Sequence, residues 1–203
     1  DAIRRRGAFL EVGATAKLEA LLQFLVASGG LLPDLATALR LELPLNLRQA
    51  ASAAGTLLSA NGRSLFSAAC LALDTHLTLL PGEERASLDM QAGSLSGRLV
   101  SQVWLPLDAR LACETVRRTP ADFPLVSACV AAWPSGRARL VVGGFGSRPR
   151  LVLDGVGVTP EEAAQAARNA CQEAGDDFAS AEYRAEMAAL LSQRGWQRVF
   201  KTD

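Results

Sequence analysis

From residue 99 to residue 153 the chain is a succession of short apolar runs separated by turn residues, and no other stretch constrains the fold as strongly. Leu99–Leu105 and Arg110–Arg117 are strand candidates split by Pro106 to Asp108, Leu125–Trp133 comes next, and Arg137–Val142 returns from it. The last two are joined by Pro134-Ser135-Gly136. There Pro fixes φ and Gly permits a positive φ, the chemistry of a tight turn. Gly143-Gly144 and Gly146 break the returning strand, and Arg148–Leu153 is a last one. Strand candidates this closely spaced predict an antiparallel sheet built from hairpins.

Helical signals surround this stretch. Thr159-Pro160-Glu161-Glu162 combines an N-cap, Pro at the first helical position and Glu at the third, a capping box. It predicts a helix to about Ala174, stopped by Gly175. A second helix is predicted from about Ser180 to Gln193, with Tyr183, Met187, Leu190 and Leu191 on one face. Nearer the start, Phe9–Val12 reads as a strand. Thr15 is the expected N-cap of a helix bearing Leu18, Leu21, Leu22 and Leu25 at helical spacing, ended by Gly29-Gly30. A further helix runs from Pro33 or Asp34 to Leu41 and is closed by Pro44; Leu65–Leu73 is an apolar helix and His76–Leu80 a strand. Glu83-Glu84-Arg85 reads as a polar turn. The polar connection Gln91–Gly97 marks a boundary, giving units 1–95 and 96–203 and an α+β class.

Composition narrows the function. The 203 residues suffice for one large domain or two modest ones. Lys plus Arg equals Asp plus Glu at 21 each, so there is no electrostatic case for nucleic acid or an anionic membrane as partner. Arg4-Arg5-Arg6 reads as a solvated edge. No apolar run reaches the roughly 18 residues of a membrane span and no secretory signal pattern is present, so the expected compartment is cytoplasmic. The chain starts at Asp1 with a strand almost at once, which suggests a fragment or processed chain. Cys70, Cys113, Cys129 and Cys171 form no C-x-x-C pair, so neither a zinc nor an iron–sulfur site is signalled. Each has the Ala, Leu or Val neighbours of a small buried thiol. The single His76 sits in an apolar strand and reads as structural. There is no nucleophile elbow, Walker loop or dinucleotide fingerprint. Gly143-Gly144-Phe145-Gly146 comes after a strand and opens no helix, which fits a tight sheet exit.

Leu47–Asn61 is unlike the rest. It is rich in Ala, Ser and Gly, and its helical pattern is weak, interrupted by Gly55 and Asn61-Gly62. Small residues in series let a backbone approach something closely. Two readings stand: a cradle in which amides and the hydroxyls of Ser52, Thr56 and Ser59 meet a pyrophosphate, or close packing of helices.

Leu47-Arg48-Gln49-Ala50-Ala51-Ser52-Ala53-Ala54-Gly55-Thr56-Leu57 resembles the segment Ile-Arg-Asn-x-Ala-Thr-Ile-Gly-Gly-Asn-Leu of the FAD-binding subunits of the xanthine dehydrogenase and carbon monoxide dehydrogenase family. Four further segments resemble that family in the same order: Leu10–Thr15, Leu71–Thr75, Asp122-Phe123-Pro124-Leu125-Val126 and Ala179-Ser180-Ala181-Glu182-Tyr183-Arg184. The resemblance implies the second subdomain of a PCMH-type FAD-binding domain, then a CO dehydrogenase flavoprotein C-terminal-like domain. It implies FAD bound near Ser52, Ala54, Gly55, Thr56, Leu58 and Ser59. Molybdopterin would sit in a large partner subunit and iron–sulfur clusters in a small one. The implied activity is that of a flavin-dependent oxidoreductase subunit passing electrons from the clusters through FAD to an acceptor. It also implies a first subdomain, with another phosphate loop, that these residues do not include. The loop departs from the pattern at Ser52, Ala54 and Thr56, and Ser64-Leu65 stands where the family often has Asp. These departures leave an alternative, a flavin-free domain serving assembly, and an expectation that this chain alone holds FAD weakly. Tyr183 is read either as a cofactor neighbour or, with Met187, as core.

Overall fold

The computed structural model describes residues 1–82, 84–88 and 97–201. The chain begins with β1 (Ile3–Arg6) and β2 (Phe9–Gly13), and then forms α1 (Leu18–Ala27), α2 (Pro33–Glu42), α3 (Leu45–Ala50), α4 (Ala53–Ser59) and α5 (Leu65–Ala72). Next come β3 (His76–Leu80), β4 (Glu84–Ser87) and β5 (Leu99–Pro106), then β6 (Arg110–Val116), β7 (Val126–Ala132), β8 (Arg137–Gly143) and β9 (Arg150–Val156). The last helices are α6 (Pro160–Ala170) and α7 (Ala181–Phe200). A five-stranded sheet has the order β1-β2-β5-β3-β4 and a four-stranded sheet the order β6-β7-β8-β9. Among the described residues all strand pairs are antiparallel, so the α+β class holds.

Layering is set by which faces are apolar. Leu10, Val12, Leu77, Leu79, Val103 and Leu105 alternate along β2, β3 and β5 and bury one face of the first sheet against α1, α2, α4 and α5. Every residue of α5 is buried, because its far side meets Cys129, Ala131 and Val141 of the second sheet. The other face of that sheet, through Val130, Leu140 and Val142, packs on α6 and α7. With both faces covered, β7 is buried at every position, which accounts for a sequence that is apolar except at Ser127.

Two connections tie the sheets together. Asp74, in the turn after α5, pairs with Arg137 at 2.8 Å and with the buried Arg139, and Arg137 also grips Asp154 at 2.7 Å. Gly62 meets the exit of β8 backbone to backbone: the Gly144 amide donates to Gly62 O at 2.7 Å, and the Gly62 amide to Gly146 O at 3.2 Å. Gly143–Gly146 is thus a sheet exit, with Gly144 at φ +103°.

The structure corrects several boundaries. Leu99–Pro106 completes the first sheet between β2 and β3 rather than opening the second; its partners are distant in sequence, so local spacing misplaces it. The expected boundary at 95/96, like Glu83 and Gln91–Ser96, lies outside the described residues. Glu84 and Arg85 form strand rather than turn, since Arg85 pairs with Thr78. Thr15 caps nothing. The carbonyls of Ala14 and Ala16 accept from Ala54 and Ala53, Lys17 bridges to Ser52, and α1 starts only at Leu18. The capping box forms in full, with Thr159 and Glu162 bonded reciprocally, but α6 ends at Ala170, where the chain tightens into a turn over Cys171–Ala174. Helix α7 runs on to Phe200, because Gly195 lets it approach β7: a Cβ there would lie 3.0 Å from Val130 Cγ2. Its buried face carries Arg184, Ala188, Leu191, Ser192 and Val199, whereas Tyr183 is 41% exposed and no core residue.

Candidate functional site

The small-residue stretch folds as two short helices rather than a loop. Ser52 is the N-cap of α4 and its Oγ accepts from the Gly55 amide at 3.2 Å. A helix repeat then distributes the expected site residues by face. Ser52, Gly55, Thr56 and Ser59 fall on one face and line a cavity of about 430 Å³. Ala54, 5% exposed, belongs to the core, and Leu58 is exposed outside that cavity. The rest of the wall comes from Glu42 and Leu43 at the end of α2, Ala51 and Ala60 flanking α4, Asn61 and Ser64 before α5, and Phe123.

The amides of this helix start are already used. Ala53 donates to Ala16 O, Ala54 to Ala14 O and Thr56 to Ser52 O, at 2.8, 3.2 and 2.9 Å. Two of the three hydroxyl protons are committed as well: Thr56 Oγ1 donates to Ser52 O at 2.9 Å and Ser59 Oγ to Gly55 O at 2.8 Å. A pyrophosphate needs several converging free donors, and this segment offers one, the Ser52 hydroxyl, beside the lone pairs of Thr56 and Ser59. Ser64, in the place where the resembling family often has Asp, caps α5 by accepting from Ser67 N at 3.0 Å.

Glu42 is the residue that sequence reading missed. It is 8% exposed, lines the cavity, and its Oε2 accepts from the Phe66 amide at 3.0 Å. That amide belongs to the first turn of α5, where partial positive charge gathers. Burial pushes the Glu42 carboxyl above its ordinary range; bonds from the Phe66 amide, the Ser64 hydroxyl and the Leu65 amide pull it back, as does the charge of Arg117. Among the described residues Glu42 has no ion-pair partner. The signal in the sequence was an acid at the C-terminal end of a helix, where the helix dipole disfavours it. As they stand, these residues do not fit a pyrophosphate: no amide of the α4 start is free and a buried carboxylate faces the space.

Other candidate groups serve structure. Arg184, fully buried, donates to Leu125 O at 3.2 Å, to Ala174 O, and to Asp176 at 2.8 Å, so the Ser-Ala-Glu-Tyr-Arg segment is a packing node. Cys113 and Cys129 sit opposite each other on β6 and β7 with their sulfurs 2.7 Å apart, a pairing set by strand register. Burial raises the thiols of Cys70, Cys113 and Cys171, the last to about 11, so these three are not nucleophilic thiolates near neutral pH. Among the described residues no group of His, Cys, Asp or Glu is arranged to hold a metal ion. No helix among them is long and apolar enough to cross a membrane.

No family model matches the sequence, and no curated protein matches it. Solved structures do match. A carbon monoxide dehydrogenase from Hydrogenophaga pseudoflava, which lacks the Mo-pyranopterin moiety of the molybdenum cofactor, aligns with a TM-score of 0.77 at 19% identity, over 98% of this chain and 77% of that chain. The reconstituted CO dehydrogenase from Oligotropha carboxidovorans gives 0.77 at 21% identity, with the same coverage of 98% and 77%. Quinoline 2-oxidoreductase from Pseudomonas putida 86 gives 0.73 at 19%, again over 98% and 77%. Across both sheets, this chain has the fold of a chain of carbon monoxide dehydrogenase and of quinoline 2-oxidoreductase.

Proposed function

We propose that this chain is the body of an FAD-carrying electron-transfer subunit of a molybdenum hydroxylase, passing electrons from iron–sulfur clusters through FAD to an acceptor. The observation that carries the reading is the fold likeness along 98% of the chain to two dehydrogenases and quinoline 2-oxidoreductase, which runs through every segment that resembles the family in sequence. The partners would be a molybdopterin-binding large subunit and a small iron–sulfur subunit. FAD, when bound, supplies the redox chemistry, and the protein's task is to hold and orient it. No acid or base on this chain is then required. The pyrophosphate is gripped from outside these residues. The cavity face of α4, with Ser52, Gly55, Thr56 and Ser59, is this chain's share of the site, and Ala54 supports it from the core, whereas Leu58 lies exposed outside the cavity.

A second reading, a flavin-free domain that serves assembly, is favoured by the internally bonded amides of α4 and by Glu42. Co-purification with the partner subunits, then visible absorbance, separates the two. The first reading expects a flavin spectrum in the complex; a colourless complex that takes up no added FAD leaves only the second.

A further inference from the structure

We propose that Cys113 and Cys129 are a redox-active cross-strand pair: a peroxide joins the two thiols in a disulfide that locks the β6–β7 hairpin, and a dithiol reductant reopens it. The inference rests on the second sheet alone and is independent of where a flavin is held.

Strand register builds the pair. Cys113 stands opposite Cys129, with Ala112 opposite Val130 and Glu114 opposite Ala128 on either side. Strand β6 is the edge of its sheet, and the Cys113 amide turns outward, donating to Asp34 Oδ1 of α2 at 2.9 Å. Cys113 and Cys129 are therefore a non-hydrogen-bonded pair of the ladder, the kind whose Cα atoms come closest, about 4.5 Å. A disulfide accepts Cα separations of roughly 4.4–6.8 Å, so the backbone needs no shift to admit the bond. Both side chains lie on the face packed against the first core, and the sulfurs meet at 2.7 Å.

Exposure decides which sulfur reacts first. Cys70, Cys129 and Cys171 are buried, whereas Cys113, on the edge strand, keeps partial exposure. A small peroxide therefore reaches Cys113. Its sulfur attacks one peroxide oxygen, the O–O bond breaks, and loss of one water leaves a sulfenic acid. The Cys129 sulfur then attacks the Cys113 sulfur; the S–S bond forms, the S–O bond breaks, and the second water departs with the remaining thiol proton. The two thiols have given two electrons to the peroxide. Burial, the contact with Cys129 and the charge of Asp34 hold the Cys113 thiol high, so the first step is slow near neutral pH. The pair is a slow crosslink rather than a fast sensor. The bond brackets the connection between β6 and β7, whose Phe123 lines the cavity beneath α4 and whose Arg117 donates to Asp122 O at 3.0 Å. Closing that loop removes conformations from the unfolded chain and steadies the hairpin.

The test treats the purified protein with hydrogen peroxide, alkylates the remaining thiols in denaturant and maps the peptides by mass spectrometry. Two of the four cysteines should escape alkylation, joined as Cys113–Cys129, and the melting temperature should rise by roughly 5–10 °C. Dithiothreitol should reverse both changes. Cys113→Ser and Cys129→Ser should each abolish the crosslink and the shift, while Cys70→Ala should keep them. Should a variant fail to fold, the wild-type peptide map still decides. Four alkylated thiols, oxidation of Cys113 to a sulfinic acid without a crosslink, or a disulfide through Cys70 or Cys171 overturns the proposal. A Cys113–Cys129 bond that leaves the melting temperature unchanged overturns the lock.

Discussion

Ser52 and Ser180 do the same local work: each caps a helix, accepting from the amide three residues on at 3.2 Å. The residues beyond the two caps differ. Past Ser180 the chain places Arg184, which is wholly buried and ties α7 to the start of β7 and to the turn before the helix. Past Ser52 it places Ala53, Ala54 and Gly55, and the face that carries Gly55 opens on a cavity. A segment with one large charged residue at a fixed distance from a cap reports a packing requirement. A run of small residues reports a surface that something else approaches. The more specific of the two sequence resemblances is therefore the one that speaks to fold, and the weaker one speaks to the site.

The sharpest way to break this contrast is to remove the node. Arg184→Ala strands two backbone carbonyls and Asp176, and should lower stability by about 3–5 kcal/mol, measured by urea unfolding. A loss below about 1 kcal/mol would reduce Arg184 to a surface-like pair. Next comes the contact between the sheets. A Cβ at Gly62 would overlap the Phe145 carbonyl oxygen, so Gly62→Ala should cost about 1–3 kcal/mol in the same assay. Ser52→Ala and Ser180→Ala should each cost about 1 kcal/mol, the worth of an N-cap. A much larger loss at Ser52 would show that α4 is a structural node too.

The smallest effect concerns Glu42, whose folded-state pKa is raised by burial. A raised pKa means the folded protein binds its proton more tightly, so this group favours folding at low pH and that contribution is lost as pH rises through the folded value. Glu42→Gln should melt higher than the wild type at neutral pH, and the gap should narrow on acidification toward the carboxylate range, about pH 4. A gap that widens on acidification would mean that the helix amides outweigh burial.

Much of the fold was legible because its signals are local. The Thr159 capping box and the Pro134–Gly136 turn name their own geometry, and Gly136 does adopt φ +83°. What stayed hidden was non-local. Leu99–Pro106 has its partners at Phe9–Gly13 and His76–Leu80, so its sheet could not be read from its neighbours. The Cys113–Cys129 juxtaposition is likewise a product of strand register. At the site, the spacing of Ser52, Gly55, Thr56 and Ser59 was in plain view, but Gly55 masked the helix that gives it meaning. Glu42 gives no comparable signal: it stands a short way before Ser52 in sequence but on another helix, and the packing of α2 on α5 is what brings it to the cavity.

Whether the complex of the proposed function carries FAD, and where it would be held, is the central question. The ratio of FAD to chain, measured by visible absorbance in the complex with the partner subunits and again after those are removed, tests it most directly. Stoichiometric FAD in the complex and little or none on the isolated chain is the predicted result; no flavin in either state, or full retention by the isolated chain, would contradict it.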